Sequence, residues 1–137
     1  MTARSIIRVT PMTTTPRNTA VLLILAAAAT GAAGKDQPIR LDIAPGKGAE
    51  VCMPLAEGDT LHWRFRATAA LDFNLHHHID KQVLMPVARK SIEADVGEHA
   101  IDRRNDWCLM WTAPSEGQRV AVDGAWSVLP RRPANKP

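Results

Sequence analysis

From Ile39 onward the apolar residues of this chain recur at every second position, not every third or fourth. A period of two is the mark of strands with one buried face. Ile39, Leu41 and Ile43 alternate with Arg40 and Asp42, and Pro45-Gly46 turns the chain. A second short strand, residues 49–55, carries Cys52 and ends at the Glu57-Gly58-Asp59 turn. In residues 60–67, Leu61, Trp63 and Phe65 share one face and His62, Arg64 and Arg66 the other. In residues 71–79, Leu71, Phe73, Leu75, His77 and Ile79 lie opposite Asp72, Asn74, His76 and His78. A tight connection at Lys81-Gln82 leads to residues 83–87, where Pro86 lacks an amide donor and predicts an edge or bulged strand.

Residues 91–96 continue the pattern, and residues 97–105 read as a polar loop. Residues 107–112 place Trp107, Leu109 and Trp111 on one face, with Cys108 and Met110 on the other. After a Pro114–Gly117 turn, residues 119–129 form a last strand in which Gly124 predicts a bulge or bend. Trp63, Trp107, Trp111 and Trp126 fit alternating parities and are expected mostly in the core. Seven or eight short strands with regular turns and no amphipathic helix predict an all-β fold, an antiparallel β-sandwich.

The chain has 137 residues and a formal charge of +3. Arg4, Arg8 and Arg17 account for the whole excess, because residues 1–33 contain no acid. Arg131, Arg132 and Lys136 gather the next bases into a proline-rich tail, residues 131–137, expected to be disordered. The body between them, residues 34–130, is therefore net acidic and shows no basic stripe of the kind a nucleic-acid binder needs.

Residues 1–33 follow the order of a secretory signal peptide: Arg17, then an apolar run from Val21 to Ala29, then Thr30-Gly31-Ala32-Ala33. Translation from Met12 would give the more ordinary signal length. The apolar run falls short of the roughly 20 residues that span a bilayer. The expectation is a periplasmic or secreted protein with no stable membrane anchor once the signal is cleaved.

Cys52 and Cys108 both fall in the mature part. In an oxidising compartment a pair of cysteines forms a disulfide, here worth roughly 4 kcal/mol in the chain-entropy model. A metal-bound thiolate pair or a reactive thiol are the alternatives.

From Glu50 to Leu129 the order of features resembles the GOLD domain, the β-sandwich of p24/emp24 luminal regions. The matching features are Glu50-Val51-Cys52-Met53, the Glu57-Gly58-Asp59 turn, Leu61–Phe65, Leu71-Asp72-Phe73-Asn74-Leu75, and Trp107–Thr112 leading into Ala113-Pro114-Ser115. The usual glycine after the Asp-Phe strand is replaced by His77-His78-Ile79-Asp80-Lys81. No coiled coil or membrane helix follows the domain, so cargo sorting is not carried over. The resemblance implies a GOLD/jelly-roll-like sandwich, a Cys52–Cys108 disulfide and a binding role.

The chemistry-bearing residues concentrate in Asn74-Leu75-His76-His77-His78. Residues i and i+2 of a strand point the same way, roughly 6.5–7 Å apart, so His76 and His78 can converge on Cu²⁺ or Zn²⁺. A third ligand would come from His62, if residues 60–67 and 71–79 pair as a hairpin about Ala69, or from His99, Glu98 or Asp80. His77, of opposite parity, is expected to face the core, hydrogen-bonded to a backbone carbonyl. These observations predict an exported non-enzymatic binding module, with a metal site at His76, His78 and His62 and a weaker candidate in His99. The alternative is a metal-free adaptor that presents a sheet surface to an envelope protein. A small hydrolase with a histidine base is the third reading. If the cysteines pair, thiol labelling of the denatured, unreduced protein will find no free thiol, and stoichiometric labelling would refute the bridge.

Overall fold

The computed structural model describes residues 34–134. The leader (residues 1–33), with its alternative start at Met12, and the last residues of the tail lie outside the described residues.

Six strands follow one another: β1 (Gln37–Ile43), β2 (Gly48–Leu55), β3 (Thr60–Ile79), β4 (Gln82–Ala100), β5 (Asn105–Thr112) and β6 (Val120–Leu129). All pairings are antiparallel. The sheet order is β1-β6-β3-β5-β2, with β4 also paired to β3. The central element is β3, 20 residues long. Its first half pairs with β6 and its second half with β5, while β4 accompanies both halves.

Phe65 and Phe73 belong to this one strand, yet their ring centroids are 4.9 Å apart. Eight residues of straight strand would separate them by about 26 Å. The strand therefore curls over on itself, and its odd-numbered side chains occupy the concave side. The curl falls where the register between β3 and β4 shifts, between Arg66 and Leu71. There Ala67–Ala70 oppose the single residue Glu93, a β-bulge that sharpens twist and bend. The bulged residues are all small, Ala67, Thr68, Ala69 and Ala70, and Thr68 and Ala69 are exposed. The folded-over sheet is a sandwich whose two halves share the β3–β4 hairpin.

Leu61, Trp63 and Phe65 from the first half meet Leu71, Phe73 and Leu75 from the second, all buried. Trp107, Leu109 and Trp111 of β5, Val120 and Val122 of β6, and Ile39 and Ile43 of β1 complete the core. Trp111 packs edge-on against Phe65 at 5.5 Å. Trp63 donates from Nε1 to Asp95 Oδ2 at 2.9 Å. Three of the four tryptophans are fully buried, and Trp126 is half-buried.

Six strands replace the expected seven or eight because two predicted breaks are bends. Residues 60–67 and 71–79 merge into β3, and residues 83–87 and 91–96 merge into β4. The residues expected to form a loop from 97 to 105 begin as the end of β4, with Gly97 paired to Trp63. A side chain at Gly97 would strike the Trp63 indole, so the glycine seats that ring. Pro86 does sit on an edge strand. A register shift beside it places a bulge between Leu84 and Val87. A second irregularity centres on Ser91, whose φ of 53° is left-handed. Asp72 holds it, accepting from Ser91 N at 3.0 Å and from Lys90 Nζ at 2.8 Å. These bulges, Pro86 and the charges of Arg89, Lys90, Glu93 and Asp95 blunt a long free edge.

Gly124 corrects another expectation. Its register with Ile39 and Phe65 is regular, with no bulge. A Cβ at this position would lie 2.0 Å from the Arg64 carbonyl oxygen, so the glycine permits close backbone approach. Past β6, Arg131 N donates to Asp59 Oδ1 at 3.1 Å, tying the start of the tail to the β2–β3 turn.

The Gly124→Ala variant should lose about 1–3 kcal/mol of stability, because the obstructing atoms are backbone. Urea unfolding checks this, and an unchanged midpoint would contradict the close approach.

Candidate functional site

The outer face of the β3–β5–β2 half gathers the polar side chains of the histidine segment. Register sets its layout. His76 lies opposite Cys108, which lies opposite Cys52. In the next row Asn74 lies opposite Met110, which lies opposite Glu50. Cys52 and Cys108 are joined as a disulfide between adjacent strands, and among the described residues no cysteine is free.

His76 is only 4 % exposed, although it belongs to the outward parity. Its Nδ1 lies 2.7 Å from Asn74 Oδ1. An amide oxygen can only accept, so Nδ1 donates and Nε2 is the nitrogen left open. Nε2 faces Glu50 Oε2 at 3.6 Å. Burial pushes the His76 pKa below the usual histidine value; the Glu50 carboxylate opposes the shift, and the neighbouring histidines reinforce it. The His78 ring is exposed and stands edge-on to His76 with centroids 5.3 Å apart.

His77 points to the core, as its parity requires. Its ring stacks on Trp107 at 4.1 Å, and the His99 ring lies 5.6 Å from the same indole. Its polar partner is the Asn105 side chain, whose Nδ2 lies 3.3 Å from His77 Nδ1, in place of the expected backbone carbonyl. Asn105 also donates to His78 O at 2.6 Å, so this amide ties β5 to the histidine segment. Burial lowers the His77 pKa, with the Arg103 charge adding to the effect.

His62 does not join His76. The expected hairpin about Ala69 is one continuous strand, and His62 instead pairs with Glu98 on β4, its Nδ1 3.4 Å from Oε2. His99 is opposite Leu61, on the inner parity. Among the described residues, the ligand-type atoms that converge within 4.8 Å belong to Glu50, His76 and Cys108. Cys108 is spent in the disulfide and offers no thiolate. The sequence pattern alone does not mark Glu50 as a site residue. Its one legible signal is its parity: two residues before Cys52, it must share the face of the disulfide.

The fold and this face define an all-β protein with one cross-strand disulfide and a histidine–carboxylate pair on its outer surface. No protein-family model matches the chain, and no curated protein matches it at the sequence level. Among solved structures it is similar to PliG from Aeromonas hydrophila, a periplasmic inhibitor of g-type lysozyme. The TM-score is 0.50 at 11 % identity, covering 70 % of this chain and 88 % of that one. At that identity the likeness is one of fold.

Both buried histidines have folded-state pKa values below their unfolded value. The unfolded state therefore binds more protons in this window, and stability rises with pH. Stability should be full above about pH 6.5 and should fall as pH drops below it. Thermal melts in EDTA from pH 8 to pH 5 should show a falling midpoint, flattened in a His76→Gln/His77→Gln variant. A flat wild-type profile would contradict the burial effect.

Proposed function

We propose that this protein is an exported, non-enzymatic module that binds a protein partner, and that the partner is a lysozyme-type cell-wall hydrolase. The carrying observation is the apolar end of the β3–β4 hairpin. There Val83, Leu84 and Met85 are exposed, Met85 by 54 %, beside the Asp80-Lys81 turn. Adjacent exposed apolar side chains at the end of a long hairpin suit insertion into a partner's cleft, where a few desolvated anchors supply most of the affinity. The fold adds support, since the similar PliG is a periplasmic protein that inhibits a lysozyme. The disulfide and the signal-like leader fit the same compartment. The adaptor reading drawn from the sequence is the broader form of this proposal.

The test is a turbidity assay with g-type lysozyme on cell-wall suspensions, run alongside other lysozyme classes. Inhibition at stoichiometric protein is expected. A Leu84→Ser/Met85→Ser variant with an unchanged circular dichroism spectrum should inhibit at least about tenfold less, the cost of losing one anchor. Absence of both inhibition and complex formation with every lysozyme class would overturn the proposal.

A further inference from the structure

We propose that the outer face of the β3–β5–β2 half holds a divalent transition-metal site made by His76 Nε2, the Glu50 carboxylate and His78. Water would complete a tetrahedron. The ligand set differs from the one the sequence suggests, because Glu50 takes the place of His62.

Three observations carry the assignment. His76 Nε2 and Glu50 Oε2 face each other at 3.6 Å while Nδ1 is committed to Asn74. A neutral imidazole protonated on Nδ1 aims a lone pair from Nε2 at a carboxylate oxygen, which is also a lone-pair donor. That arrangement is repulsive unless a cation stands between them. Two ligands of a tetrahedral zinc, with metal–nitrogen and metal–oxygen bonds near 2.1 Å, are about 3.4 Å apart. The observed separation needs only a small adjustment.

The second observation is the Asn74 buttress. Histidines that ligate metals donate their other N–H to an oxygen, which fixes ring and tautomer. His76 is held in this way by a residue of its own strand face. Thirdly, His78 shares that face, is exposed, and stands 5.3 Å away by ring centroids, so its side chain can turn toward the same point. Glu50 is half-exposed, which leaves a route for the ion to enter. Two imidazoles and one carboxylate select Zn²⁺ or Cu²⁺ over calcium or magnesium. The competing occupant is a proton on Nε2, bridging to Glu50.

Calorimetric titration of the purified protein with zinc sulfate or copper sulfate at pH 7.5 distinguishes the two occupants. One equivalent should bind, and the copper form should show nitrogen hyperfine structure in its paramagnetic resonance spectrum. Glu50→Gln and His78→Ala alter exposed side chains and should each weaken binding at least tenfold. His62→Ala should leave it unchanged. If the wild type takes up no equivalent, or if Glu50→Gln and His78→Ala both bind as the wild type does, the site is overturned and the proton is the occupant. Loss of binding in His62→Ala alone would likewise overturn it.

Discussion

The architecture depends on one strand folding over its own hydrophobic stripe. Odd-numbered positions of β3 from Leu61 to Leu75 are all apolar, and a straight strand would spread them along one side of an extended ribbon. Curling brings Trp63 and Phe65 against Phe73 and closes the core with residues close in sequence. The remaining strands occupy the space this curl leaves. β6 and β1 extend the first half, and β5 and β2 extend the second. A bulge and a run of small residues are sufficient to allow the bend, because neither interrupts the parity that keeps the stripe inward.

Parity was legible in the sequence, and curvature was not. Leu61, Trp63, Phe65, Leu71, Phe73 and Leu75 all lie where alternation places them. His77 faces the core and His78 faces solvent for the same reason. Thr68–Ala70 reads as a break, since small residues between two amphipathic runs look like a turn. In the fold they bend a continuous strand, and the difference depends on which strands flank it, information held far away in β5 and β6. The same bend decides which histidines meet. A hairpin would have put His62 beside His76; a single strand puts it in the other half, against Glu98.

Three consecutive histidines thus have different physical settings. His77 is a core residue, its ring against Trp107 and its nitrogen near Asn105. His78 is open to solvent. His76 is outward by parity but covered, held by Asn74 and facing a carboxylate. Only this last setting combines a fixed tautomer, an open nitrogen and an anionic neighbour. Sequence alone cannot find it, because Glu50 reaches His76 across two strand boundaries, and the order β3-β5-β2 is a property of the sheet.

The disulfide bears on this geometry as well as on stability. β2 is an outer strand, and among the described residues its only ladder partner is β5. A slip of one residue in that ladder would turn Glu50 to the inner face and Met53 to the outer. The buried Met53 and Leu55 side chains resist such a slip, and the half-buried Ala49 and Val51 add to them at the other end of the strand. Cys52 and Cys108, directly opposite in register, forbid it covalently two residues from Glu50. The same bridge lies in the row of His76. A cross-link at any other position of the β2–β5 ladder would close a loop of similar length, with similar entropy. At this position it also fixes the carboxylate over the imidazole, so the staple and the site occupy adjoining rows of one surface.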